Sequence, residues 1–79
     1  MTQNIYWCYG KDDFYGAYFV AKTRGQAKVM CASEYELHFT DVRTQIVKRG
    51  VNETFCGIIE SDSPLLEKYG LEYIDIEEW

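Results

Sequence analysis

The chain has 79 residues, 47% of them apolar and 16% aromatic, and carries a formal net charge of −5. Domains usually contain roughly 100–150 residues, so we expect residues 1–79 to form one small domain. A single proline, no low-complexity tract and this many large apolar side chains exclude a disordered protein. The sequence also has no apolar run near the roughly 18 residues of a membrane span and no signal-peptide pattern, which predicts a cytoplasmic protein.

The charge is unevenly distributed along the chain. Residues 1–50 contain seven Lys and Arg and five Asp and Glu, which gives a net charge of +2. Residues 51–79 contain one Lys and eight Asp and Glu, which gives a net charge of −7. A domain with this division presents one strongly negative region, which attracts cationic partners and repels nucleic acid and anionic membranes. We therefore expect protein partners, with no nucleic acid and no membrane among them.

The first predicted elements are two strands. Residues 4–9 are dense in β-branched and aromatic side chains and end at a run of turn formers, and residues 16–21 make a second such segment. The short polar connection favours an antiparallel hairpin. On the first strand Ile5, Trp7 and Tyr9 share one face, and Tyr6 and Cys8 share the other. Because both faces are apolar, either the chain covers the hairpin on both sides or one face is left for a partner.

A helix is predicted at about residues 24–37. Thr23 can cap its start, and Gln26 three residues later completes a capping box. Apolar residues then recur at the spacing of one helical face, namely Ala27, Met30, Cys31 and Tyr35.

The second half of the chain predicts a strand at 42–48 with one mostly polar, solvated face, a weak strand at 54–59 and a final strand at 71–79. A short helix at 63–70 separates the last two, with three end signals: Ser63 as cap, Pro64 in the first turn and Gly70 after the last turn. The order is ββα-β(β)-αβ. This order predicts a small α+β domain with a mainly antiparallel sheet and both helices on one face.

The candidate partner-binding residues are aromatic and acidic. Trp7 and Tyr18 are chosen because the aromatic content exceeds what one small core needs, and both residue types are favoured at interfaces. The same excess predicts self-association through the hairpin 5–21. The acidic candidates lie in the final predicted strand: Glu72, Asp75, Glu77 and Glu78. These acids either recognise a basic partner or form a charged edge strand that prevents sheet-to-sheet aggregation.

Thr23, Arg24 and Lys28 gather at the start of the predicted long helix, where backbone N–H groups and the helix dipole favour an anion. They are the candidate anion-binding residues. The segment lacks the glycine pattern of a P-loop or a dinucleotide-binding turn. The alternative is an ordinary capped and solvated helix start.

Three cysteines and one histidine, Cys8, Cys31, Cys56 and His38, have the composition of a Cys3His zinc site. None of them has the closely spaced partner that such sites use, so we predict no metal and no cofactor, and interpret the cysteines as packing thiols. Cys31 and His38 are about 10 Å apart along the predicted helix, too far for a nucleophile and its base. A pairing of His38 with Cys8 or Cys56 stays open. With no complete catalytic set, the chain is predicted to be non-enzymatic.

Four runs of residues carry a resemblance to known proteins: Tyr6–Tyr9, Gly16–Tyr18, Ala21–Lys28 and Phe39–Arg43. They resemble small uncharacterised proteins encoded by phages and prophages of Gram-positive bacteria. No catalytic motif comes with the resemblance. It implies an accessory protein of a mobile element, a group in which acidic inhibitors of host defence systems, including anti-CRISPR proteins, are common. Many such inhibitors present carboxylates where a nuclease expects DNA phosphates.

We therefore expect a non-enzymatic protein-binding module. The resemblance narrows this expectation to a phage-encoded, anti-defence inhibitor whose partner is a host protein, a nuclease or another defence enzyme, in the cytosol of the host cell. One alternative is a protein that sequesters a small ligand or nucleotide, with Arg24 holding phosphate and tyrosines stacking on the ligand. The other alternative is a small homo-oligomeric structural protein whose aromatic hairpin is its own interface.

Overall fold

The computed structural model describes residues 2–11, 16–60 and 62–71. The elements in chain order are β1 (Gln3–Gly10), β2 (Gly16–Ala21), α1 (Arg24–Glu34), a short 3-10 helix (Phe39–Asp41), β3 (Val42–Val51), β4 (Gly57–Ile59) and α2 (Pro64–Lys68). Within the described residues, the strands form one four-stranded sheet in the order β3-β1-β2-β4, and each neighbouring pair is antiparallel. The predicted α+β class with an antiparallel sheet is confirmed.

The hairpin of β1 and β2 forms the centre of this sheet. Trp7 is paired with Tyr18, and Cys8 with Ala17, in an unbroken register along both strands. The other side of β1 pairs with β3, and there the register shifts on either side of Ile5, as in a β-bulge. The pairing follows from the β-branched and aromatic content of both segments, which favours extended backbone.

The sheet divides the core into two clusters, because side chains alternate between the faces of a strand. The α1-side cluster contains Tyr6, Cys8, Ala17, Phe19, Ala21, Ala27, Cys31 and Val42. The α2-side cluster contains Ile5, Trp7, Tyr18, Val20, Val51 and Ile59. The hairpin is therefore covered on both sides, which is the first of the two arrangements that its apolar faces allow.

α1 covers the first face and begins at the predicted capping residue. The Thr23 hydroxyl oxygen accepts a hydrogen bond from the Gln26 N–H at 3.1 Å, and the Gln26 side-chain oxygen accepts one from the Lys22 N–H at 2.8 Å. The helix ends at Glu34 rather than at residue 37. Glu36 adopts a left-handed conformation with φ of 54°, and the Leu37 N–H bonds to the Ala32 carbonyl at 2.8 Å, which closes the helix end.

α2 lies on the opposite face from α1, so the prediction that both helices share one face is corrected. Leu65, Leu66, Tyr69 and Leu71 pack against the α2-side cluster. The physical reason is the second apolar face of the hairpin, which would otherwise expose Trp7 and its neighbours to water. The predicted end signals of this helix are confirmed. Ser63 accepts a hydrogen bond from the Leu65 N–H at 3.2 Å, Pro64 begins the helix, and Gly70 follows it with φ of 66°.

The two later strands differ in length from their predictions. β3 continues to Val51 rather than ending at residue 48, and β4 begins only at Gly57 rather than at residue 54. The buried Gln3 side chain explains the second difference, because its amide group donates hydrogen bonds to the carbonyls of Glu53 and Phe55 at 2.7 and 2.9 Å. The predicted final strand at 71–79 lies, after Leu71, outside the described residues.

Replacing Gly16 by alanine is expected to destabilise the hairpin. A Cβ atom at this position would lie 2.7 Å from Cζ2 of Trp7 and 2.9 Å from the carbonyl oxygen of Cys8. Relieving these overlaps must move the buried indole or the backbone, so we expect unfolding free energy to fall by about 1–3 kcal/mol in chemical denaturation. Gly25→Ala is the control, because the nearest atom to its Cβ is 4.0 Å away. Equal stability of the two variants would contradict the packing described around Trp7.

Candidate protein-binding edge

The two aromatic residues predicted to bind a partner lie in the core. Trp7 and Tyr18 are only 8% and 5% exposed, and their rings meet edge to face with centroids 4.7 Å apart. Both belong to the α2-side cluster. A partner therefore has no access to them while α2 stays in place. Their packing in the core accounts for aromatic side chains that were expected at an interface.

This burial also removes the premise for self-association through the hairpin 5–21. That prediction required an apolar face left uncovered by the chain, and each face is covered by a helix and its neighbouring residues. Self-association itself stays a prediction.

The four acidic candidates, Glu72, Asp75, Glu77 and Glu78, lie outside the described residues, and their role stays a prediction. The described residues contain all eight Lys and Arg and seven of the thirteen Asp and Glu. They therefore carry a formal charge of +1 against −5 for the whole chain. The excess negative charge belongs to segments 12–15 and 72–79, with two and four acids respectively.

The three anion-binding candidates lie at the start of α1, where two of them contact neighbouring parts of the chain. The Thr23 hydroxyl caps the helix, as described above, and so occupies the Gln26 N–H that an anion would need. The Lys28 ammonium lies 4.6 Å from the centre of the Phe39 ring, in a cation–π contact with the short 3-10 helix. Arg24 is exposed. The geometry therefore matches a capped helix start, in which the Thr23 hydroxyl and the Lys28 ammonium have partners within the chain.

The cysteines divide into a buried pair and an exposed residue. Cys8 and Cys31 are fully buried and hydrogen-bonded to each other, and this hydrogen bond, followed by burial, raises the pKa of the Cys8 thiol. Cys56 is exposed, contrary to a packing role, and its thiol donates to the side-chain oxygen of Gln3 at 2.7 Å. His38 is exposed beside the 3-10 helix. In the part of the chain that the structure describes, no three His, Cys, Asp or Glu side chains are grouped to hold a metal ion.

The outer edge of β3 is the longer of the two edges of the sheet in the described residues. β3 has ten residues and pairs on one side with β1, and no described strand lies on its other side. An edge strand directs about half of its N–H and C=O groups away from its partner, so these groups are available to an added strand. The opposite edge, β4, has only three residues. β3 is therefore the longer template for strand pairing.

The side chains of β3 are basic and partly apolar. The strand contains Arg43, Lys48 and Arg49, all exposed, and no acidic residue. Val47 is 37% exposed and, with Ile46, lines a shallow depression of about 390 Å³ beside the two C-terminal bases. From Arg43 to Arg49 the strand spans about 20 Å. The sequence predicted the solvated face of this strand but not its position at the edge of the sheet.

Two contacts fix the beginning of this basic strand. The Arg43 guanidinium donates to the Thr40 carbonyl at 2.9 Å, which holds its charge beside the 3-10 helix. The backbone N–H of Lys11, whose side chain is exposed, donates to the Asp41 carbonyl at 2.7 Å. A fourth base thus lies near the start of β3. Bases and a bulge on an edge strand deter indiscriminate pairing with other strands. The same charges favour an acidic strand.

A second depression, of about 470 Å³, lies between α1 and β4. Its apolar lining includes Val29, Met30 and Ile58, and Val29 is the most exposed large apolar residue among those described. Glu34 adds an acidic group to its rim. β4, which borders this depression, has three residues, against ten in β3.

Comparison with protein-family models, curated proteins and solved structures found no match for the chain. Neither helix within the described residues has the length and apolar content needed to cross a membrane.

We expect Tyr18→Arg to unfold the protein. The substitution places a charge in the α2-side cluster, where water does not reach it, and should lower the unfolding free energy by more than about 3 kcal/mol. Tyr35→Arg is the matched control, because Tyr35 is 37% exposed, and it should change stability by only about 0.5 kcal/mol. Circular dichroism during urea titration measures both. A folded Tyr18→Arg protein of altered oligomeric state would instead restore Tyr18 as an interface residue.

Proposed function

We propose that this protein is a non-enzymatic protein-binding module that adds an extended, acidic segment of its partner to the outer edge of β3. The observation that carries the proposal is the combination of a ten-residue edge strand, unpaired on its outer side within the described residues, with three exposed bases and no acid. Strand addition of this kind obtains its affinity from backbone hydrogen bonds, and its specificity from the side chains that flank them.

The charges on β3 select the partner. Lys48 and Arg49 follow the exposed Val47 in the strand, and all three residues line the same shallow depression. An incoming strand therefore meets two cationic groups and one apolar contact along this part of the edge. Acidic side chains on that strand gain from pairing with these bases, whereas basic side chains are repelled. The attraction acts at a distance of about 10 Å at 0.1 M salt, so it also raises the rate of encounter.

This proposal moves the binding surface away from the residues that the sequence suggested. It needs neither Trp7 nor Tyr18, which stabilise the core, and it is independent of the four C-terminal acids. The narrower proposal, an inhibitor of a host defence enzyme or nuclease, is supported by the phage and prophage resemblance alone. An acidic segment near a nuclease's active site is a suitable partner for β3, and that match is the only link between the two proposals.

The test uses a fluorescein-labelled peptide of about ten residues with alternating glutamate and valine as the probe. Fluorescence anisotropy at low salt should show saturable binding, and amide chemical shifts should change along β3. The double variant Lys48→Glu with Arg49→Glu should weaken binding by about tenfold or more, because each lost ion pair is replaced by a repulsion. Lys22→Glu with Arg24→Glu is the matched control, since it makes the same charge change at the start of α1.

Two further peptides distinguish strand addition from simple charge attraction. A peptide with lysine in place of glutamate should not bind. A peptide that keeps the glutamates but has proline in place of valine retains the charge and cannot form a strand ladder, so it should bind much more weakly. Equal binding of the proline peptide, or equal loss in both double variants, would show that β3 is not a strand-addition site.

A further inference from the structure

Two thiols meet where α1 lies against the sheet. Cys8 belongs to β1 and Cys31 to the last turn of α1, and both are fully buried in the α1-side cluster. Their side chains are hydrogen-bonded to each other. Neither residue contributes to the edge of β3, so the proposed function leaves this pair unexplained.

Small residues allow this contact. Ala27 is on the buried face of α1 with Cys31, and Ala17 is the partner of Cys8 in the hairpin. All four are at most 1% exposed. Short side chains let a helix lie close to a sheet, which agrees with the contact between the two thiols. A disulfide needs its two Cβ atoms about 4 Å apart, so a bond between these residues requires α1 and β1 to bring the Cβ atoms of Cys8 and Cys31 to that separation.

We propose that Cys8 and Cys31 are an oxidation site, at which a small-molecule disulfide such as oxidised glutathione converts the two thiols into an internal disulfide that links α1 to β1. In the first step, one cysteine thiolate attacks the oxidant, forms a mixed disulfide and releases one glutathione thiolate. In the second step, the other cysteine attacks the protein sulfur of that mixed disulfide and releases the second glutathione. The two protein thiols lose two electrons and two protons, and the oxidant gains both as two glutathione thiols.

The folded state controls when this reaction occurs. The hydrogen bond to Cys31 and burial raise the pKa of the Cys8 thiol, so the reactive thiolate is scarce while α1 is in place. Oxidation therefore proceeds during folding or when α1 opens from the sheet. Once α1 has closed again, the same burial shields the disulfide from reductants. The redox state that the chain meets while it folds is thus retained afterwards.

The experiment uses the full-length Cys56→Ser variant, which removes the exposed thiol and keeps a donor for Gln3. The protein is incubated with oxidised glutathione in moderate urea, returned to buffer, and alkylated in guanidinium chloride. We expect a product that has lost two hydrogen atoms, takes up no alkyl group and gives a peptide joining the segments around Cys8 and Cys31. Its thermal midpoint should rise by about 10 °C, because the cross-link restricts the unfolded chain. Dithiothreitol in urea should reverse both changes.

The control variant, Cys31→Ala with Cys56→Ser, keeps a single thiol and should gain either one glutathione or one alkyl group, with no rise in midpoint. Omitting urea during oxidation should slow formation of the disulfide in the test protein, since α1 must open first. The proposal is wrong if the Cys56→Ser protein takes up two alkyl groups after oxidation, or if it carries two glutathiones, because the thiols then fail to join. A cross-link between two chains instead of within one would also overturn it.

Discussion

The structure depends on one constraint, the need to cover both apolar faces of the central hairpin. β1 lies between β2 and β3, and its side chains alternate between two clusters. The residues of both clusters are buried from solvent. A chain of this length buries only about 60% of its unfolded surface, so few of its residues are available to form two hydrophobic cores. The fold resolves this by placing one helix on each face. Aromatic side chains then supply much of the buried area on the α2 side, where the helix itself has only five residues.

The elements that could be predicted from the sequence are those with local signals. The strand bounds of β2, the Thr23 cap of α1 and the Ser63, Pro64 and Gly70 signals of α2 all depend on residues within a few positions of each other. The placement of α2 on the opposite face depends on the second apolar face of the hairpin, which α1 leaves uncovered. No pattern within the α2 segment indicates which face of the sheet the helix covers. The late start of β4 has a similar cause, because the amide of Gln3, some fifty positions earlier in the chain, occupies carbonyls of the preceding segment.

The candidate site was harder to predict because composition does not reveal location. Trp7 and Tyr18 have the residue types of an interface, yet their packing against each other and beneath α2 makes them core residues. Conversely, Arg43, Lys48 and Arg49 contribute to a modest positive balance in residues 1–50, and only the sheet order shows that they lie on one edge. The polar face of this strand was visible from the alternation of its residues. The lack of a described strand on its outer side was not visible, since the partner of a strand is set by tertiary structure.

The arrangement separates the residues that determine stability from those proposed for binding. β1 pairs on both sides and supplies side chains to both clusters, so a change there disturbs two cores at once. β3 is anchored by Val42 in one cluster and Val51 in the other, at its two ends, while the bases between them stay exposed. An edge held in this way keeps its backbone extended without burying the side chains that would meet a partner. The surface charge of β3 can therefore change at little cost to the folded state.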